Sequence, residues 1–256
     1  MKPKLRVFPD RETLAFAAAH HFLSIAQAAI LHRGRFMVAF SGGTTPRMLF
    51  QRLNRTRMQD SLNWNQVHIF WGDERCVPPD DTESNYRMAR EALIDSLPIP
   101  ASNIHRYMTE RPPEEAAQQY QEELQSSFGL VDKDSPPVFD LILLGLGGDG
   151  HTASLFPGTS VLKEKERWAA AVYVEKLGVW RVTLTLPVLN AAREILFLVV
   201  GESKAQVLQE VLAADEEVMK YPAQLVQPIS RRLYWFVDGK AAQALLSRRN
   251  LPHWHV

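Results

Sequence analysis

The chain predicts an α/β fold: a three-layer α/β/α sandwich around a mostly parallel, Rossmann-like sheet. Three observations carry that expectation. Short apolar runs suited to buried strands alternate with segments of helical spacing. Glycine-rich or polar segments follow several of those runs, as turns at strand ends do. A hydrophobic content of 46% in 256 residues is enough for a substantial buried core. No repeat, low-complexity tract or Pro/Ser-rich linker divides the chain, so residues 1–256 are expected to form one domain.

Residues 10–33 are Ala-rich, and Leu14, Phe22, Ile25, Ala29 and Ile30 recur at about helical spacing, with Gly34 where a C-cap belongs. Phe36–Phe40 reads as a buried strand running into Ser41-Gly42-Gly43-Thr44-Thr45-Pro46. Arg47–Leu53 follows as a helix, with Pro46 suited to its first turn. A second such unit has Val67–Trp71 as strand, Gly72–Asn85 as a long polar loop and Tyr86–Leu97 as helix. Pro112-Pro113 opens a helix to about Phe128, and Asp132–Pro137 is a polar loop before a strand at Phe139–Leu144. Further strands are expected at Trp168–Val174, Arg181–Leu186, Ile195–Val200 and Leu233–Val237. Further helices are expected at about Ser203–Ala213 and Gly239–Ser247.

Composition narrows the function classes. With 29 basic and 29 acidic residues the net charge is zero, so no global field favours nucleic acid or an anionic membrane; anion selectivity must be local. A lone cysteine, Cys76, excludes an intramolecular disulfide and any multi-cysteine metal site. Together with the lack of a charged-then-apolar leader before Leu5, it points to a reducing, cytoplasmic setting. No window approaches the roughly 18 uninterrupted apolar residues of a membrane span.

The richest segment is LLGLGGDGHTASLFP at 143–157, an apolar run ending in a glycine turn that carries Asp149 and His151. Gly145, Gly147 and Gly150 also fit the dinucleotide pattern G-x-G-x-x-G after a strand. That reading needs a helix of several turns after the third glycine, whereas Pro157 arrives seven residues on and would break it. Glu164 and Glu166 lie in a Lys/Glu-rich run and not at the end of a second strand. The pattern therefore does not predict a nicotinamide cofactor. His151 is the best candidate for general acid–base work, because imidazole titrates near neutrality and Asp149 is close enough to orient it.

Ser41–Thr45 offers unhindered backbone N–H groups ahead of a helix N-terminus, a setting that favours a phosphate, with a plain tight turn as the alternative. Arg181 and Lys204 are the candidate cations. Lys204 stands at a helix start, where it opposes the dipole, a placement that either a bound anion or plain solvation of the lysine would explain. Trp71-Gly72-Asp73-Glu74-Arg75 ends a strand with two carboxylates and a guanidinium, either an ion-pair cluster or part of a site. Cys76 has no thiol-protease partners and reads as an inert thiol. Asp80, Asp81 and Glu83 match no calcium loop, so no metal is expected. His253-Trp254-His255 reads as a terminal tail and not a metal site.

Taken together, SGGTTP at 41–46, WGDERCVPPDDTESNYRMARE at 71–91, LGLGGDGHTASLFP at 144–157, RVTLTLPVLNAAR at 181–193 and GESKAQVL at 201–208 resemble the 6-phosphogluconolactonase family. That family lies within the glucosamine/galactosamine-6-phosphate isomerase superfamily. The second and third blocks are specific; SGGTTP and GESKA alone would be weak. Leu177-Gly178-Val179-Trp180 departs from a stretch where the family often has prolines.

The resemblance implies the fold of sugar-phosphate isomerases and hydrolysis of 6-phospho-D-glucono-1,5-lactone in the oxidative pentose phosphate pathway. It implies no metal and no organic cofactor, and a small-molecule sugar-phosphate lactone as partner. It also implies roles: His151 as base, Asp149 orienting it, Arg75 at the carbonyl or its oxyanion, and Gly42, Gly43, Thr44, Arg181 and Lys204 on the phosphate. The related deaminases carry a Glu five residues after the His, where this chain has Phe156, and tend to have Tyr in place of Arg75. A non-catalytic sugar-phosphate sensor of this fold would usually carry a DNA-binding segment, for which there is no room. The oligomeric state is not set by the sequence, which is compatible with a monomer.

Overall fold

The structure, a computed structural model, describes residues 3–131, 135–213 and 220–247. Its strands are β1 (Lys4–Phe8), β2 (Phe36–Phe40), β3 (Val67–Trp71), β4 (Asp73–Arg75), β5 (Ile104–His105), β6 (Leu141–Leu144), β7 (Ala169–Val174), β8 (Val179–Leu184), β9 (Ile195–Val199) and β10 (Leu233–Asp238). The helices are α1 (Arg11–Arg33), α2 (Thr44–Leu53), α3 (Thr56–Gln59), α4 (Asn85–Ala92), α5 (Pro113–Phe128), α6 (Leu186–Ala191), α7 (Ala205–Ala213) and α8 (Gly239–Leu246).

Seven strands form one sheet in the order β1-β10-β9-β6-β2-β3-β5, and every pairing in it is parallel. All residues of β2, β6 and β9 are buried, because helices cover both faces; continuous apolar runs are the sequence signature of such strands. The chain runs outward from β2 to β3 and β5, then returns to lay β6 on the other side of β2. The winding thus reverses between β2 and β6, and ligands of open α/β sheets bind beyond the carboxyl ends of the strands at such a point. The Ser41–Gly43 turn after β2 and the glycine loop after β6 flank that crevice, with the loop after β9 next along the same edge.

Helix α1 starts where Asp10 accepts the Thr13 N–H at 2.8 Å and stops where Gly34 adopts φ 74°. It is long and apolar enough to cross a membrane, but Leu14, Ala18, Phe22, Ala26 and Ala29 are buried and it packs on β1, β2 and β10. Its apolar face is a core face. On the neighbouring central strands, Phe197 and Trp235 stack with ring centroids 3.9 Å apart.

Several boundaries differ from the sequence reading. Gly72–Asn85 is not all loop: Asp73–Arg75 pairs with β8, which pairs with β7 in a separate antiparallel sheet. Strand β8 spans Val179–Leu184 and not Arg181–Leu186; it stops at Leu184 because Thr185 and Pro187 open α6, a helix the sequence reading did not include. Helix α4 ends at Ala92, where Leu93 leaves helical dihedrals before a 3₁₀ turn at Ile94–Ser96. A 3₁₀ turn at Glu202–Lys204 precedes α7. The edge strands β1 and β5 were not anticipated; β1 has one fully buried residue, Leu5, and β5 has only two residues. Residues 132–134 of the expected polar loop, and His253–His255, lie outside the described residues.

Candidate active site

The loop after β6 is closed by its own backbone. Gly147 N–H donates to His151 O at 2.8 Å and Gly150 N–H to Gly147 O at 3.1 Å. Gly150 has φ 75° and lies under the Tyr221 ring, so a side chain there would be both strained and overlapped. Its carbonyl accepts the Ala223 N–H at 3.0 Å. A side chain at Gly147 would overlap the His151 ring, so glycine is what lets the imidazole fold back over the loop. Beyond His151 the chain reverses through Ala153, a non-glycine residue at φ 47°. Bonds on either side hold this turn: Thr152 Oγ1 to Gly145 O at 2.9 Å, and Ser154 Oγ to Asp73 Oδ2 at 2.7 Å.

Within this loop His151 Nδ1 and Asp149 Oδ1 are 2.5 Å apart, both side chains part-buried. With Nδ1 donating to the carboxylate, Nε2 carries the free lone pair that a general base needs. Burial works to raise the Asp149 pKa, but the hydrogen bonds and charge of His151 outweigh it and hold the carboxyl below its ordinary range. Lys204 is within electrostatic reach of Asp149. Burial draws its pKa down, and the charge of Asp149 opposes that. Its loop is pinned by Asp238, which accepts the Gly201 N–H at 3.0 Å and also caps α8 through the Ala241 N–H at 2.8 Å.

The second cluster sits on the antiparallel sheet. Arg75 and Arg181 are directly opposite in the β4–β8 register. Like charges in that relation repel, and both Nε atoms are buried without a hydrogen-bond partner among the described residues. Arg75 Nη1 donates to the Glu83 carbonyl. Burial, then the charge of Arg75, lowers the Arg181 pKa against the pull of Asp73, Glu74 and Glu83. The two arginines line a cavity of about 410 Å³ with Cys76, Thr109, Arg111 and Trp180. Two adjacent guanidiniums with unused donors are the donor set of an anion site.

The acids beside Arg75 do other work. Buried Glu74 accepts the backbone N–H groups of Arg75, Asn85 and Tyr86, each at 2.8 Å, and the Ser84 hydroxyl at 3.2 Å, so it anchors the start of α4. Asp73 ties β4 to the His151 loop through Ser154. Of the two readings open for this segment, the ion-pair cluster is not what forms: neither acid pairs with Arg75. Asn85 Nδ2 donates to Asp73 O at 2.9 Å, and its side chain fills the space a Cβ at Gly42 would need, joining the β2 turn to β4. In that turn Gly43, at φ 98°, precedes Thr44, the first residue of α2, and both are exposed.

The structure therefore pairs His151 with Asp149, with Lys204 in electrostatic reach of Asp149, and sets Arg75 beside Arg181, with Gly42, Gly43 and Thr44 at the same sheet edge. Cys76 stands apart chemically: burial, then Glu74, push its thiol up to about 11. The sequence reading singled out Asp73 and Glu74 without their bonding roles and missed Asn85, Ser154 and Tyr221, which act through contacts with other segments of the chain. Only Ser84, the N-cap of α4, left a local signal.

A family model described as glucosamine-6-phosphate isomerases/6-phosphogluconolactonase matches residues 9–235. A 6-phosphogluconolactonase of Synechocystis sp. is 42% identical over 246 residues, 96% of this chain and 99% of that protein. The human 6-phosphogluconolactonase is 41% identical over 244 residues, 94% of this chain and 93% of that protein. Among solved structures, 6-phosphogluconolactonase from Trypanosoma cruzi superposes with a TM-score of 0.84 at 28% identity, covering 95% of this chain and 97% of that one.

Proposed function

The chain belongs to the family of glucosamine-6-phosphate isomerases and 6-phosphogluconolactonases, and from that premise we propose how its site opens a phosphorylated lactone. It is a hydrolase that converts 6-phospho-D-glucono-1,5-lactone to 6-phospho-D-gluconate, the activity its curated relatives are named for. The residue roles that follow are our reading.

His151 Nε2 takes a proton from a water molecule as that water attacks the lactone carbonyl carbon. A C–O bond forms, the carbonyl oxygen becomes an oxyanion, and Arg75 stabilises that charge. The tetrahedral intermediate then collapses, the ring C–O bond breaks, and His151 returns its proton to the departing ring oxygen. The product is an open-chain acid that ionises at neutral pH. Asp149 keeps Nδ1 protonated and turned away from the substrate. Gly42, Gly43, Thr44, Arg181 and Lys204 hold the phosphate through backbone N–H groups and charge. No step calls for a metal or organic cofactor. We read residues 1–256 as one domain working in a reducing cytoplasm.

The observation that carries this reading is the 2.5 Å contact between His151 Nδ1 and Asp149 at a strand's carboxyl end. The test is lactone disappearance with and without the purified protein at slightly acidic pH, where spontaneous hydrolysis is slow. Catalysed loss of the 6-phosphorylated lactone is expected. Loss at the spontaneous rate would overturn the assignment.

A further inference from the structure

The ring of Phe156 lies against the face of the His151 imidazole, with centroids 4.1 Å apart and planes inclined by 29°. Phe156 is 7% exposed, and its carbonyl accepts the Thr159 hydroxyl at 2.7 Å, so it is held by its own turn. The imidazole is thereby confined on three sides. Asp149 holds Nδ1, Gly147 lies close against the Nδ1 and Cε1 atoms, and Phe156 covers one face.

An aromatic face attracts a cation within about 6 Å through its quadrupole, and a neutral imidazole gains little from it. The attraction therefore grows as His151 takes a proton, so it acts on the transition state more than on the bound substrate. We propose that Phe156 is a positioning residue for lactone opening: its stacked ring fixes the plane of the His151 imidazole and favours the imidazolium that forms as water attacks. This rests on the reading of His151 as the base. Removing such a contact from a part-exposed site is worth a factor of about two to five in rate.

Phe156→Leu and Phe156→Met keep an apolar cover and remove the ring face, while Phe156→Trp keeps a ring face. Each is assayed on the 6-phosphorylated lactone for kcat, KM and pH–rate profile, alone and combined with His151→Ala, with circular dichroism to select folded variants. The Leu and Met variants should lose about two- to fivefold in kcat with KM unchanged, and their acid limb should move to lower pH by about half a unit. The Trp variant should hold both. In the His151→Ala background the Leu and Met changes should cost nothing further. A wild-type kcat and acid limb in folded Leu and Met variants would overturn the proposal, as would an equal loss with and without His151. His151→Ala at wild-type rate would instead remove the base reading, so the two failures are told apart.

Discussion

Asp149 accepts the Nδ1 proton of His151 at 2.5 Å from only two residues away, and a single turn therefore sets both the tautomer and the direction of the imidazole. Replacing the acid by its amide keeps the shape and removes the charge. Asp149→Asn should lower kcat by about 10²–10⁴-fold, by analogy with the orienting carboxylate of Ser-His-Asp triads. Melting temperature should change little. A variant with wild-type kcat would make the contact structural.

Arg75 and Glu74 are adjacent in sequence and should fail in different ways. Glu74, itself buried, satisfies three backbone donors, one buried and two part-buried, so Glu74→Ala should cost about 3 kcal/mol of stability. Arg75→Ala should leave stability near wild type and depress kcat by about 10–10³-fold, the range for losing an oxyanion donor. Denaturant unfolding and initial rates on the two variants check both. Raised KM with unchanged kcat for Arg75→Ala would move that residue from the oxyanion to uniform substrate binding.

The phosphate should matter for turnover. Charge-assisted hydrogen bonds are worth about 1.5–3 kcal/mol each, so several lost together should cost at least about 10²-fold in kcat/KM. Unphosphorylated gluconolactone should show that loss with the native protein. Arg181→Ala and Lys204→Ala should each lower kcat/KM for the phosphorylated lactone more than for the plain one. Equal efficiency on both lactones would remove these two cations from the phosphate site.

The central parallel strands were legible because both of their faces are buried, so Phe36–Phe40, Leu141–Leu144 and Ile195–Val199 read as unbroken apolar runs. The β4–β8–β7 sheet was not fully legible, because Asp73-Glu74-Arg75 pairs by its backbone while its charged side chains imitate a loop. Likewise the glycine loop and strand-end placement exposed His151 and Asp149 from sequence. The bonds that hold them in place did not show: Ser154 reaches Asp73, 81 residues away, and Tyr221 covers Gly150. Such contacts have no periodicity and no local motif, so only the folded chain reveals them.

A pair of histidines at the sheet edge should make stability pH-dependent. His68 Nδ1 and His105 Nε2 are 3.2 Å apart, with Glu123 on His105 at 2.6 Å and Arg35 also acting on His68. Burial, then the charges of His105 and Arg35, bring His68 down to about 4 from 6.5. Burial also lowers His105, against the pull of Glu123. A depressed histidine binds fewer protons folded than unfolded, so stability is full above about pH 6.5 and falls as pH drops toward 4. Because His68 is half-exposed, solvent screening reduces its share to about 1 kcal/mol. Urea unfolding between pH 7.5 and 4.5 should show that decline, and His68→Gln should flatten it. An unchanged slope in the variant would contradict the assignment.

The most direct test of the account is the pH–rate profile of His151→Ala beside the native protein, followed as disappearance of the 6-phosphorylated lactone. The native profile should show an acid limb from protonation of the base. The variant should fold normally, lose about 10²–10⁴-fold in kcat and lack that limb, the usual reach of general acid–base catalysis. A His151→Ala protein with the native kcat and the same profile would contradict it and leave this histidine a structural residue.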